Sequence, residues 1–322
     1  MSSLTRRSAI FAAGALLATR SAAGAQSGPA LPVLHVGGSA DMDASPIVYG
    51  LQAGIFRRYG IELAFAKAAS GSAVAAAVAG GALDIGKSSV VPLISGHAHN
   101  VPFTIVAPSI VHRVGLADSA LMVGVNSPVR AARDLDGKAV SVAGLRDMQW
   151  LATHAWLDAN GGDSSSVQFL EIPGAAVGAA LEQGRISAGT LSEPYITQAV
   201  KAGKARIFAK MVDAFGNAMT TAFFTTNDFA VKNRDLIGRF AHAVIEASAY
   251  CNTHPAEMTQ LMSSYAGIDR GTLTAMVHPQ FALDLDPRSI QPIVNAAAKY
   301  NLIPQPFNVA EMIVPLAGMS AN

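Results

Sequence analysis

Residues Ser70–Ser89 read SGSAVAAAVAGGALDIGKSS, and the architecture is read outward from them. It reads as a loop, a helix of small residues, a tight turn and a short buried strand ending in hydroxyls. Ser70 is an N-cap, and Ser70-Gly71-Ser72 offers backbone N–H groups that can approach a ligand closely. Val74, Val78 and Leu83 supply the larger apolar contacts, and Gly80-Gly81 stops the helix. Leu83-Asp84-Ile85-Gly86 then fits a strand whose C-terminal end delivers Lys87, Ser88 and Ser89 into a crevice, the place where open α/β sheets hold ligands. Further along, Gly184-Arg185-Ile186-Ser187-Ala188-Gly189 echoes Gly81–Gly86, again after an Ala-rich helix and before polar residues, here Ser192-Glu193. The echo predicts two similar α/β lobes rather than a short-period solenoid. For either copy alone, the plainer reading is simply a helix turning into a buried strand.

With 322 residues, 51% hydrophobic and 14% charged, the chain can bury a large core and is long enough for two domains. No apolar run reaches the ~20 residues of a membrane span. Residues 1–25 read as a removable export signal. Thr5-Arg6-Arg7 precedes the apolar run Ala9–Ala18, and Ala23-Gly24-Ala25 fits a cleavage site before Gln26. The paired arginines with Arg20 resemble a twin-arginine signal, with an ordinary secretory signal as the alternative; both export the protein. The signal carries three arginines and no acid, so its removal leaves 20 basic residues against 22 acidic ones. That balance gives no reason to expect nucleic acid or an anionic membrane as partner. Cys251 is the only cysteine, so neither a disulfide nor a lipid-modified N-terminus is expected, and the mature protein is placed free in the periplasm.

The order of elements from Leu34 implies a parallel sheet covered on both faces. Strands are expected at Leu34–Gly37, Ile61–Ala66, near Ile85, and at Phe103–Val111. One helix is expected from Ser45-Pro46 to Arg58, and another over Val90–Ser95. A second cycle runs through strands Leu121–Val125, Ala139–Ala143, Val167–Ile172 and Ile186–Leu191, with helices Met148–Asn160 and Ala175–Gln183. After a strand Ala222–Thr226 the chain reads as helices, at Asn233–Asn252, Ala256–Tyr265 and Pro287–Tyr300. This divides the chain into a signal (1–25), a first part of lobe 1 (33–117), lobe 2 (118–221) and a completion of lobe 1 (222–322). The crossings, near Val111–Val123 and Thr221–Thr226, would act as a hinge.

The chain resembles the periplasmic substrate-binding proteins of ABC importers, of the nitrate, sulfonate and taurine type, within the superfamily of pyrimidine-precursor-synthase-like proteins. The likeness covers about residues 33–312. It rests on Ala53-Gly54-Ile55-Phe56 with Tyr59-Gly60-Ile61, on Ser70-Gly71 with Gly81–Gly86, on Asp134-Leu135-Asp136-Gly137-Lys138 with Val140, and on Glu193-Pro194. The resemblance implies a two-lobed α/β fold of the type II binding-protein kind. Each lobe would be a parallel-rich sheet covered by helices, the two joined by crossing strands and closing on a small solute that a membrane permease takes up. It implies a pocket lined by Ser39, Ala40 and Asp41, by Ser70, Gly71 and Ser72, by Ser88 and Ser89, by Arg146 and Asp147, and by Glu193 to Tyr195, with Asn217 approaching from the second crossing. It implies no catalysis, no cofactor and a monomer. Where sulfonate and taurine binders tend to carry small hydroxyl residues, this chain has Leu145-Arg146-Asp147-Met148.

Each singled-out residue has a plainer role beside the functional one. Arg146 can clamp a carboxylate or sulfonate, or sit in solvent paired with Asp147. Asp41 and Asp43 can meet an ammonium group or merely shape a loop. Glu193 is stabilised by a helix dipole whatever its function. Tyr195, Trp150 and Phe215 can wall a solute or pack in the core. His97 and His99 lack partners at metal-ligand spacing, and His112 and Arg113 read as hinge surface. Arg146 and the helix N-termini favour an organic anion such as a sulfonate or carboxylate, Asp41 and Asp43 leave a zwitterion open, and the low count of candidate pocket charges also suits a neutral heterocycle or an aromatic acid. The competing functions are an enzyme on the same fold acting on a pyrimidine or other metabolite, and a domain that presents its solute to a membrane sensor. Neither G-x-S-x-G, a phosphate loop nor H-E-x-x-H occurs.

Overall fold

The computed structural model describes residues 30–39, 41–68 and 70–314; the expected export signal and Ala40 lie outside the described residues. The chain opens with β1 (Val33–Gly38), α1 (Ser45–Gln52), α2 (Ile55–Arg58), β2 (Glu62–Lys67), α3 (Gly71–Ala79), β3 (Ile85–Ser89), α4 (Val90–Ala98) and β4 (Phe103–Pro108). The short β5 (Val111–His112) leads into β6 (Ser119–Gly124), β7 (Ala139–Val142), α5 (Met148–Ala159), β8 (Gln168–Glu171), α6 (Gly174–Glu182), β9 (Ala188–Ser192), α7 (Tyr195–Lys201) and β10 (Ala205–Ala209). The chain returns through β11 (Ala218–Met219) and β12 (Thr221–Thr226). It ends in α8 (Asn227–Lys232), α9 (Arg234–Thr253), α10 (Pro255–Ala266), α11 (Arg270–Ala275) and α12 (Gln291–Lys299).

Two five-stranded sheets share one plan. The first runs β2-β1-β3-β12-β4 and the second, read from the corresponding edge, β8-β7-β9-β6-β10. In each, three neighbouring strands are parallel and the fourth is antiparallel: β12 against β3 and β4, and β6 against β9 and β10. The expected all-parallel order is thus parallel-rich, because in each sheet the strand nearest a crossing enters antiparallel. β3 and β9 occupy the same place in the two sheets, and they are the strands to which Gly81–Gly86 and Gly184–Gly189 lead.

The echo has a packing cause. A Cβ on Gly86 would lie 2.5 Å from Val74 Cγ1 on α3, and one on Gly189 would lie 2.7 Å from Val177 Cγ1 on α6. In both lobes the helix sits directly on the strand, which only glycine permits. α3 buries Val74, Ala75 and Val78, α6 buries Val177, Ala180 and Leu181, and alanine elsewhere on each helix keeps it close. Across β12, Phe223 and Phe224 are buried on opposite faces, each worth roughly 2–3 kcal/mol of transfer free energy.

Several boundaries differ from expectation. The helix expected over Ser45–Arg58 is broken at Gly54, whose φ of 66° is left-handed and splits it into α1 and α2. The strand expected over Phe103–Val111 ends at Pro108, and β5 follows as a separate piece. β10 was not anticipated. The expected helix Pro287–Tyr300 begins as a 3-10 turn at Pro287–Ser289 before α12.

Both lobes belong to one compact unit that begins at Leu31. The crossings meet in a two-stranded antiparallel sheet, β5 with β11, in which Val111 opposes Met219 and His112 opposes Ala218. This corrects the expected hinge: Thr221–Thr226 is the antiparallel strand of the first sheet, and the second crossing is Ala218–Met219. Of the C-terminal helices, α9 packs on β4 of the first sheet, and α11 and α12 also reach helices that flank the second. α12 packs on both α4 and α5, and α11 contacts α7, where Lys201 Nζ donates to the Gly271 carbonyl at 3.0 Å.

Candidate functional site

A cavity of about 310 Å³ lies between the two lobes beside the crossing sheet. Its wall gathers residues just past the C-terminal ends of β1, β3, β7 and β9, the crevice that open α/β sheets present to ligands.

Lobe 1 contributes the loop after β1. Asp41 Oδ1 accepts from Ser39 Oγ at 3.0 Å and from the Asp43 amide at 3.1 Å, capping a 3-10 turn over Met42–Ala44. Asp43 faces Lys87 of β3 at 3.2 Å, and the Lys87 side chain is almost wholly buried beneath the cavity. Burial holds the Asp43 carboxyl up at about 6, against the opposing pull of Lys87 and with the charges of Asp41 and Asp118 adding to the rise. Ser89 ends β3, caps α4 by accepting from the Val91 amide, and lines the cavity beside Thr221, its partner on β12.

Lobe 2 contributes a hydroxyl and amide network. Ser119 opens β6 opposite Ser192, which ends β9. Gln149 on α5 donates through Nε2 to Ser192 Oγ at 2.8 Å and accepts from Thr190 Oγ1 at 2.7 Å. Asp147 caps α5, its Oδ1 accepting from the Met148 amide at 2.6 Å. Glu193 accepts from the Thr197 amide and hydroxyl and, at 3.2 Å, from the Val277 amide of the C-terminal segment. Met42, Ile110, Met148, Val212, Met276 and Pro279 supply apolar surface.

His112 of β5 is 1% exposed, with Nδ1 3.0 Å from Asp118 Oδ1 and Nε2 2.7 Å from Asp213 Oδ1. Burial alone would lower its pKa, yet the hydrogen bonds and charges of the two carboxylates raise it. Expected at the hinge surface, it is instead buried between the crossings and lines the cavity.

Of the expected pocket residues, Asp41, Ser89, Asp147 and Glu193 stand on the wall, and Ser39 lies behind Asp41. Ala40 lies outside the described residues, and the other described ones point elsewhere. Ser70 caps α3 and meets Ser72 at 3.0 Å on an exposed face. Ser88 is buried toward α3, where a Cβ on Gly71 would come within 2.4 Å of its Oγ. Arg146 adopts a left-handed φ of 64° and donates to the Asn301 and Leu302 carbonyls, so the Arg146–Asp147 pair is absent among the described residues. Tyr195 packs over Gly174, and Asn217 Oδ1 accepts from the Val114 amide across the crossings. Trp150 joins His154 and Phe169 in an aromatic cluster, and Phe215 is buried in the core. Ser119, Gln149, Ser192, Asp118 and His112 also stand on the wall, outside the expected set. The echo pointed to Ser192, which occupies the place of Ser89; nothing local marked the rest. Among the described residues no three His, Cys, Asp or Glu groups are placed to hold a metal ion.

The fold recurs in proteins of known structure. The periplasmic aliphatic sulphonate binding protein SsuA from Escherichia coli is 17% identical, with a TM-score of 0.75 over 89% of this chain and 98% of that one. The periplasmic nitrate-binding protein NrtA from Synechocystis PCC 6803 is 16% identical, with a TM-score of 0.71 over 88% of this chain and 86% of that one. The desulfurization enzyme DSZB is 14% identical, with a TM-score of 0.65 over 88% of this chain and 96% of that one. At these identities the likeness establishes the fold alone, and it is the binding-protein fold that the sequence motifs resemble. Among curated proteins none matches the chain. The sequence model of the NMT1-like family matches residues 27–265, and the chain belongs to that family.

Proposed function

We propose that the chain is the solute-binding component of an ABC importer, a monomer exported to the periplasm whose lobes close on one small organic solute and present it to a membrane permease. The observation that carries this reading is the position of the cavity, shared by two lobes of like topology and set against the strands that join them. Closure then requires only that the solute make contacts in the closed form that it lacks in the open one. The names of the sulphonate and nitrate binders support the role, and the twin-arginine-like segment supports export. Among the described residues no helix is long and apolar enough to cross a membrane.

An anionic solute takes support from those same relatives and from the helix N-termini at Ser89 and Asp147. The wall opposes it. Five carboxylates line the cavity, Asp41, Asp43, Asp118, Asp147 and Glu193, and among the described lining residues there is neither arginine nor lysine. An anion about 5 Å from one uncompensated carboxylate costs about 3 kcal/mol at an effective dielectric constant of ~20. A helix N-terminus returns only about 0.3–1 kcal/mol. The wall therefore favours a small organic solute without net negative charge.

Binding rather than catalysis fits the groups at hand. Both nitrogens of His112 face carboxylates, and the Cys251 thiol is buried and pushed up to about 12 by that burial. The enzyme DSZB on the same fold makes turnover the competing reading. Native mass spectrometry of the exported protein, followed by release of what it retains, tests the two. One unaltered small molecule per chain is expected. A chemically converted product, or an empty protein that no fraction of the host's small molecules stabilises against heat, would overturn the binding role.

A further inference from the structure

The acidic wall is divided between the lobes. Asp41 and Asp43 come from lobe 1, and Asp118 and Asp147 belong to the lobe 2 side. Each spends one oxygen on the protein: Asp41 on Ser39 and the Asp43 amide, Asp43 on Lys87, Asp118 on His112, and Asp147 on the Met148 amide. The second oxygen of each accepts no hydrogen bond from any described residue. Lys87 and His112, the nearby cations, are already matched by Asp43 and by Asp118 with Asp213. Arg146, the one residue expected to receive an anion, is turned outward onto Asn301 and Leu302.

Resting on the solute-binding reading above, we infer that the solute carries a protonated nitrogen, an organic ammonium or amidinium group, which bridges the lobe 1 and lobe 2 carboxylates. Among the described residues no three His, Cys, Asp or Glu groups are placed to hold a metal ion, and the test below includes a metal as an outcome. A cavity of about 310 Å³ with three methionines on its wall, Met42, Met148 and Met276, suits an organic cation with an apolar body. The charge also supplies the differential contact that closure needs. Bringing the two acidic edges together without a cation opposes like charges, and a cation between them reverses the sign of that term.

The test uses the exported mature protein, dialysed free of small molecules, and matched butyl, pentyl and hexyl ammonium ions, sulfonates and alcohols as calorimetric probes at pH 8. Ammonium probes are expected to bind at least ~10-fold more tightly than the sulfonates of equal length. Asp41→Asn and Asp147→Asn keep the capping oxygen while removing the charge, so each is expected to remain folded by thermal melting and to weaken ammonium binding several-fold. Sulfonates or alcohols that bind as tightly as the ammonium ions would overturn the inference and leave solute capture standing. Saturable binding of calcium or zinc alone, lost in Asp147→Asn, would overturn it in favour of a metal. If no probe binds, the molecule retained by the undialysed protein decides: an anion or a neutral solute overturns the inference, a cation upholds it, and an empty protein overturns solute capture as well.

Discussion

His112 Nε2 lies 2.7 Å from Asp213 Oδ1, and this contact ties the first crossing between the lobes to the 3-10 turn Met211–Phe215 that precedes the second. The other imidazole nitrogen faces Asp118 at 3.0 Å, so one buried ring on β5 holds the segment leading into β6 and the turn after β10 together. Two carboxylates on two nitrogens favour the imidazolium.

Removing the ring leaves two carboxylates facing each other at the hinge, and breaking a buried pair in this way costs about 3 kcal/mol. His112→Gln is therefore expected to be destabilised by roughly that amount in urea denaturation at pH 6. Because the folded pKa of His112 is raised, its contribution is full below the ordinary imidazole value of ~6.5 and is lost as pH rises through the folded value. The gap between wild type and variant should narrow on moving from pH 6 to pH 9. A gap that widens would place the neutral ring in the hinge.

Asp43 supplies a second pH dependence, in binding. Burial, opposed by Lys87 and reinforced by Asp41 and Asp118, keeps its proton up to about pH 6. A cationic solute favours the ionised form, so binding below that pH must first expel the proton. Affinity for an ammonium probe should rise as pH increases through about 6 and level off above it, as read by calorimetry. An affinity independent of pH would exclude Asp43 from the cation's contacts.

Gly86 and Gly189 should respond alike. A methyl at Gly86 meets Val74 and Phe224 at 2.5 and 2.6 Å, and one at Gly189 meets Ser141 and Val177 at 2.4 and 2.7 Å. Gly86→Ala and Gly189→Ala are each expected to cost about 1–3 kcal/mol in denaturant titrations, the usual penalty of overpacking. Unchanged stability in either would mean that helix and strand separate freely in that lobe.

Arg146 is read as a strut between lobe 2 and the segment after α12. Arg146→Ala loses two hydrogen bonds while keeping the left-handed backbone, and should destabilise by about 1–2 kcal/mol. Arg146→Gly relieves the backbone and should cost less. Solute affinity should change less than about threefold in both. A tenfold loss would return Arg146 to the binding surface.

The parts of the fold legible in the sequence are those that depend on near neighbours along the chain. The Gly81–Gly86 echo was readable because helix, turn and strand are contiguous and the glycine is needed where they touch. Asp41, Ser89, Asp147 and Glu193 reach the cavity because each lies at, or within a short loop of, the C-terminal end of a strand. β5 and β11 have two residues each, too few to show a period, and their pairing joins positions a hundred residues apart. Gln149, Asp118 and His112 reach the wall through packing between elements distant in sequence, and nothing beside them announces it. Arg146 misled for the opposite reason: its place at a helix start is local, while the carbonyls it serves belong to Asn301 and Leu302.

If the two lobes close on a solute about the β5–β11 crossing, the occupied protein is the more compact one. Small-angle scattering of the exported protein, first emptied by dialysis and then saturated with the molecule it retained, tests this most directly. A smaller radius of gyration is expected in the saturated protein, with a return to the larger value on renewed dialysis. Identical scattering from the two states, with occupancy verified by native mass spectrometry, would contradict it.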